Sequence, residues 1–284
     1  MANLIPAYEL NPTGRFSDRA NDYHHFRPSY PAAAIDQIVS HLDLPVRTLG
    51  NIADRHPPTV ADIGAGTGIS ARLLADRGLQ VWAVEPNTAM RETGQQATAQ
   101  PNDSSDPASL ATPSITFWQG TAEATGLPPV SMDVVTAFQA FHWFQPDRAL
   151  AEFHRILKPT GRLAIVWNNR DRSDEFTALY GKLVKRASST PDLAERRDNP
   201  EPLYQSPLFT QTHNYAVAHA QSLDLAGLLG LAKSRSYVPL EGEVHDRLMA
   251  DLTQLYHQFA DGGQVAMHYQ TNLYLATPAH GLTE

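Results

Sequence analysis

Short apolar runs alternate along this chain with stretches whose apolar residues recur at helical spacing, which predicts strands and helices in turn. Val60-Ala-Asp-Ile63 is a brief apolar run interrupted by one acid, as in a strand covered on both faces. Ile69, Leu73 and Leu74 then share a helical face, and Gly78 is placed to stop that helix as a left-handed cap. Val81-Trp-Ala-Val84, Ile115–Gln119, Met132–Phe138 and Arg162–Trp167 repeat the strand pattern. A helix is expected from Asn87 onward and another over Asp147–Leu157, closed by Lys158-Pro-Thr-Gly161. Ahead of the first strand, Pro31 opens a helix over Ala32–Leu42 with Ile35, Ile38 and Val39 as its buried stripe. Strands separated by helices predict an α/β fold built on a mostly parallel, doubly wound sheet.

Past Arg170 the pattern changes. It predicts a helix over Phe176–Arg186, a strand over His213–Ala220, a helix over Leu223–Ala232, a helical stripe from Leu248 to Phe259 and a last strand over Val265–Ala276. Two strands joined by helices predict an antiparallel C-terminal edge. The polar, proline-rich stretch Ala187–Pro207 is expected to cover a pocket, and Gln100–Pro113 to be a mobile loop.

Chemistry concentrates where the first strand ends. In Asp62-Ile-Gly-Ala-Gly-Thr-Gly68 the glycines fall at every second position, and glycine lets a ligand approach the backbone closely. A dinucleotide turn, G-x-G-x-x-G, would place its third glycine at position 69, which is Ile69. The glycine comes one residue earlier and an acid precedes the turn, which is the form that suits S-adenosylmethionine over NAD. That cofactor has no phosphate to seat and brings its own ammonium group, for which Asp62 is the expected partner. Glu85, at the end of the second apolar run and 21 residues beyond Gly64, is positioned to accept hydrogen bonds from both ribose hydroxyls. A strand-end carboxylate of this kind is expected to contribute little to packing. The fourth run leads into Gln139-Ala-Phe-His-Trp-Phe144, which brings His142 and Trp143 to the same rim.

Composition narrows the partners. With 284 residues and a net charge of −8, the chain has no electrostatic basis for nucleic-acid binding. It contains no cysteine, and its 12 histidines include no H-E-x-x-H, so neither thiolate chemistry nor a metal site is indicated. Met1–Leu10 has no signal pattern and no apolar run reaches spanning length, so a cytoplasmic location away from membranes is expected. The expectation is one domain over residues 1–284, with 16–170 as the cofactor-binding core and 171–284 as cover helices and closing strands, acting as a monomer or weak homodimer.

Asp62 to Gly68, Glu85-Pro86, Gly120–Pro128 and Leu157-Lys-Pro-Thr-Gly161 in this order resemble a class I S-adenosylmethionine-dependent methyltransferase of type 11. The likeness covers about residues 16–170. Tyr23, Arg27-Pro-Ser-Tyr-Pro31 and Phe141-His-Trp-Phe144 further resemble the trans-aconitate methyltransferase-like small-molecule enzymes. The resemblance implies a Rossmann-like sheet, with Asp62, Gly64, Ala65, Gly66 and Gly68 around the methionine part of the cofactor and Glu85 and Pro86 at the ribose. It puts Thr121, Ala122 and Glu123 at the adenine, although related enzymes often carry aspartate where Thr121 stands. Gln139 would meet the cofactor through its backbone, and Tyr23 and Arg27 would close over it.

A small-molecule methyl acceptor follows, with S-adenosyl-L-homocysteine as co-product. A carboxylate acceptor attacks without losing a proton, and Arg27, Arg170 or Arg235 could grip it bidentately. A hydroxyl or amine benefits from a base, for which His142 is the first candidate and His24 and Tyr23 follow. His142, Tyr23, Arg27 and Trp143 form the expected catalytic set, with Ser234–Tyr237 as a further wall of the acceptor pocket. A non-catalytic cofactor-binding regulator is the alternative from another class, and a nicotinamide oxidoreductase is disfavoured by the glycine spacing.

Overall fold

The computed structural model describes residues 7–10, 14, 16–42, 57–99, 114–190 and 198–279. The stretch Gln100–Pro113 and residues 191–197 of the expected cover lie outside them.

Seven strands form one sheet: β1 (Thr59–Ile63), β2 (Gln80–Val84), β3 (Ile115–Trp118), β4 (Met132–Phe138), β5 (Leu157–Arg170), β6 (Phe209–Leu223) and β7 (Val265–Pro278). Their order is β3-β2-β1-β4-β5-β7-β6. The first five strands pair in parallel, and β7 runs antiparallel to both β5 and β6. β4 lies between β1 and β5 and is buried at every position but one, which is why it reads as a continuous apolar run. The order of crossovers reverses between β1 and β4, and ligands of such sheets sit outside the C-terminal strand ends at that point.

The helices are α1 (Ala20–Phe26), α2 (Ala32–Ser40), α3 (Ile69–Ala75), α4 (Thr88–Ala99), α5 (Pro146–Ile156), α6 (Glu175–Arg186), α7 (Glu201–Gln205), α8 (Leu225–Lys233) and α9 (Glu243–Phe259). On one face of the sheet α2 and α3 bury Ile35, Ile38 and Leu74 against Val60, Val81 and Val134. On the other, Leu150 and Phe153 of α5 and Leu203 of α7 pack on Val135, Ile165 and Tyr274. A third apolar cluster, with Tyr180, Leu228, Leu252 and Met267, joins α6, α8 and α9 to the start of β7. This cluster forms the roof beyond the C-terminal strand ends. Among the described residues no helix is long and apolar enough to cross a membrane.

The structure departs from the expected elements in three places. α1 adds a helix ahead of the one that Pro31 opens, because Arg19 and Ala20 are buried against the roof and tertiary packing supports a helix too short to form alone. β5 begins at Leu157, which pairs with Met132 before a register shift leads to the Val134–Arg162 pairing. Lys158–Gly161 has no partner in this register and forms the excursion between the two pairings, directly after the helix that ends at Ile156. β6 starts four residues earlier than its alternation suggests, since a bulge between Thr210 and His213 breaks the period.

Candidate functional site

The glycine turn is built against β2. The N–H groups of Gly64 and Ala65 both donate to the Val84 carbonyl, at 2.8 and 3.2 Å. Gly68 caps α3 with φ +78°, and a Cβ there would meet Phe117 at 2.8 Å. Gly66, at φ +59°, forms part of the cavity wall, and a Cβ on it would stand 3.2 Å from Met90 and 3.6 Å from Tyr23. Only glycine gives this turn both its conformation and the open backbone beside the cavity.

Glu85 ties the turn to the next strand end. One carboxylate oxygen accepts from the Gly66 N–H and the other from the Asn87 N–H, each at 2.9 Å. Burial raises its pKa, and these two N–H groups offset part of the rise. Each oxygen keeps a lone pair, and the residue lines the cavity. Asp62 behaves differently from expectation. It is fully buried, and its two oxygens accept from the Ser70 hydroxyl at 2.6 Å and the Thr136 hydroxyl at 2.8 Å. Burial pushes its pKa up to about 6. Its carboxylate braces the junction of β1, β4 and α3 and does not line the cavity.

The cavity, of about 650 Å³, opens at the C-terminal ends of the parallel strands. Of the residues read from sequence, Gly64, Gly66, Glu85 and Pro86 line one end, with Thr121, Ala122 and Glu123 beyond them. Gln139, His142 and Trp143 line it from the end of β4, and Tyr23 and Arg27 from α1. Ala65 faces a small side pocket of about 20 Å³, and Gly68 lines neither space. A turn with open backbone, an acid with free lone pairs and a deep cavity at the switch point fit a cofactor of the size of S-adenosylmethionine.

Aromatic contacts join the N-terminal segment to the strand ends. Phe16 meets Tyr23 and Trp143 edge-on at 5.8 and 6.0 Å, and the Arg27 guanidinium stacks 4.6 Å from the Tyr23 ring centre. Buried Arg19 donates through Nη1 to the carbonyls of Lys233, Arg235 and Val238, which fixes the turn after α8. Arg27 adds a bond to the Ser234 carbonyl at 3.1 Å. Arg170, Arg235 and Tyr237 line the cavity here. Burial raises the Tyr237 pKa, but Arg235, Arg170 and Arg27 together bring it below its ordinary value.

His142 carries a constraint that the sequence did not reveal. The Trp167 indole N–H donates to its Nδ1 at 3.3 Å. An indole nitrogen can only donate, so the neutral ring carries its proton on Nε2. Sequence reasoning also missed Tyr8, Met90, Asp198, Gln270 and Asn272, all of which line the cavity. Gln270 and Asn272 left a trace, as polar residues two apart within the last apolar strand. Asp198 is held beside them by Asn272 Nδ2 and the Tyr274 hydroxyl, at 2.7 and 2.8 Å.

Residues 61–165 match the family model described as a methyltransferase domain. A Mycobacterium tuberculosis protein described as an uncharacterized methyltransferase is 32% identical over 268 residues, which cover 93% of this chain and 96% of the relative. A Schizosaccharomyces pombe protein of the same description is 27% identical over 241 residues, 82% of this chain and 84% of its own. Among solved structures, a type II methyltransferase from Anaeromyxobacter dehalogenans shares the fold with a TM-score of 0.57 at 22% identity, over 89% of this chain and 98% of that one. A Haemonchus contortus phosphoethanolamine N-methyltransferase, solved in complex with S-adenosyl-L-methionine, gives a TM-score of 0.51 at 15% identity over 98% of this chain and 61% of that one. Family match, relatives and fold agree with the site's geometry: the chain belongs to the class I S-adenosylmethionine-dependent methyltransferases.

Proposed function

We propose that this methyltransferase acts on a small molecule bound between the end of β4, the N-terminal segment and the turn after α8. The observation that carries this reading is one continuous cavity whose lining includes Gly66 and Glu85 as well as Arg235 and Tyr237. In it, Glu85 holds the ribose hydroxyls, the Thr121–Ala122 backbone meets the adenine edge and Gln139 offers backbone contact between them. S-adenosylmethionine supplies a methyl group already activated on a sulfonium, so the protein's task is alignment and exclusion of water. Tyr23, Phe16 and Trp143 form the aromatic cover that excludes water. Residues 171–284 supply the roof and the far wall of the same domain.

The Trp167–His142 bond bears on the acceptor. With Nδ1 occupied, His142 presents an N–H to its surroundings and not a lone pair, so it orients an acceptor oxygen more readily than it removes a proton. This arrangement favours an acceptor that arrives as a nucleophile, such as a carboxylate, over an amine or neutral hydroxyl. The test is incubation of the purified protein with methyl-labelled cofactor and a small-metabolite extract, followed by identification of the labelled product. Label in a small acid ester is the expected result. Label only in protein or nucleic acid would overturn the reading.

A further inference from the structure

Two cations near the glycine turn have no carboxylate partner among the described residues. Arg27 follows α1, Arg235 lies in the turn after α8, and both line the main cavity and the side pocket that touches Gly64 and Ala65. Neither forms an ion pair among the described residues. The Nε of each is buried without a hydrogen-bond partner. Their neighbours are phenols, Tyr23 beside Arg27 and Tyr180, Tyr237 and Tyr269 around Arg235. Burial and the charge of Arg235 hold Arg27 below its ordinary pKa, whereas burial of Arg235 is outweighed by the surrounding phenols, which hold it above its own, so the compensation present is phenolic and not a carboxylate. Leaving a buried cation without an anion is costly, and a ligand carboxylate would relieve it through the fork geometry of guanidinium.

We propose that Arg27 and Arg235 form a carboxylate subsite whose occupant is the amino-acid carboxylate of the cofactor. The proposal rests on the cofactor reading above. The side pocket selects the cofactor over the acceptor as the source, because its wall includes the first two residues of the glycine turn. Asp62 is fully buried and lines neither space, which leaves the amino-acid end to be recognised through its other charge.

The test compares two ligands on the full-length protein by calorimetry: S-adenosylhomocysteine, and 5′-methylthioadenosine, which keeps the adenosine and thioether but lacks the amino acid. Arg235→Met and Arg27→Met are expected to weaken S-adenosylhomocysteine about ten- to hundredfold, the range for hydrogen bonds to a charged group, and to leave methylthioadenosine unchanged. Arg27→Lys, which keeps the charge and loses the fork, covers the case in which the Met variant does not fold, and it should show the same selective loss in smaller measure. Equal weakening of both ligands, or of neither with succinate binding to the complex also unchanged, overturns the subsite. If the variants keep S-adenosylhomocysteine but lose succinate binding to that complex, the carboxylate subsite stands and the cofactor is refuted as its occupant. Failure of the unaltered protein to bind either adenosine ligand would instead overturn the cofactor reading itself.

Discussion

Glu85→Gln separates the two tasks of a carboxylate that supports both the fold and the site. The carboxylate accepts from the Gly66 and Asn87 N–H groups, one on each oxygen. A glutamine has one carbonyl oxygen for the two, so its amide NH₂ must face one of the backbone donors. A buried N–H left unsatisfied costs about 1 to 3 kcal/mol. At roughly 2 to 4 °C per kcal/mol for a chain of this size, the melting temperature should fall by about 2 to 12 °C. Glu85→Ala removes both acceptors but lets cavity water reach the freed donors, so it should destabilise no more than the glutamine does. Affinity for S-adenosylhomocysteine should drop about tenfold to a hundredfold for each ribose bond lost. Thermal melting without ligand reads the first effect, and calorimetry reads the second. A glutamine variant that melts with the unaltered protein and binds as tightly would refute both steps of this reasoning.

Three further outcomes are expected. Asp62 has a folded pKa of about 6 against an ordinary value of 3.8, so its contribution to stability is fully present below pH 4 and lost as pH rises to 6, by about 3 kcal/mol. Asp62→Asn, which Ser70 and Thr136 can still bond by turning their hydroxyls, should flatten melting temperature over that window, and an unchanged slope would assign the pH dependence elsewhere. His142→Gln keeps an N–H donor near the position of Nε2, so turnover on the identified acceptor should stay within about tenfold, whereas loss of a general base costs about 10² to 10⁴. Gly66→Ala forces a side chain into φ +59° with its Cβ 3.2 Å from Met90; it should cost about 1 to 2 kcal/mol in stability and weaken cofactor binding, and a variant with normal affinity would show that the cofactor does not approach this turn.

What the sequence made legible is what local chemistry determines. Met132–Phe138 is legible to the residue because burial on both faces leaves only Asp133 partly exposed. The glycine turn was legible for a similar reason, since backbone conformation limits the choice of residue at each step. Asp62 stands at the strand end as expected, and its bonds to Ser70 and Thr136 are what the sequence does not show. An acid within an apolar run needs partners, and its partners lie 8 and 74 residues away. A separation of 25 residues hid the tie between His142 and Trp167, although a buried indole N–H usually finds an acceptor. α1 left no periodic signal because its burial comes from the roof and not from an apolar stripe of its own. β6 was shortened in the reading because a bulge is a local exception to the rule that reveals strands.

Arg19 bonds to carbonyls 214, 216 and 219 residues further along the chain, and this separation orders events during synthesis. A ribosome releases the glycine turn and the five parallel strands well before it reaches Val238. Until that residue has emerged, Arg19 has no carbonyls to hold, α1 has no roof to pack on and the wall bearing Arg235 and Tyr237 does not exist. The nascent sheet therefore presents an open crevice, and the finished reaction chamber is among the last parts of the molecule to form. A chain arrested before the roof has been made should accordingly lack the enclosure that methyl transfer requires, however well its glycine turn is formed.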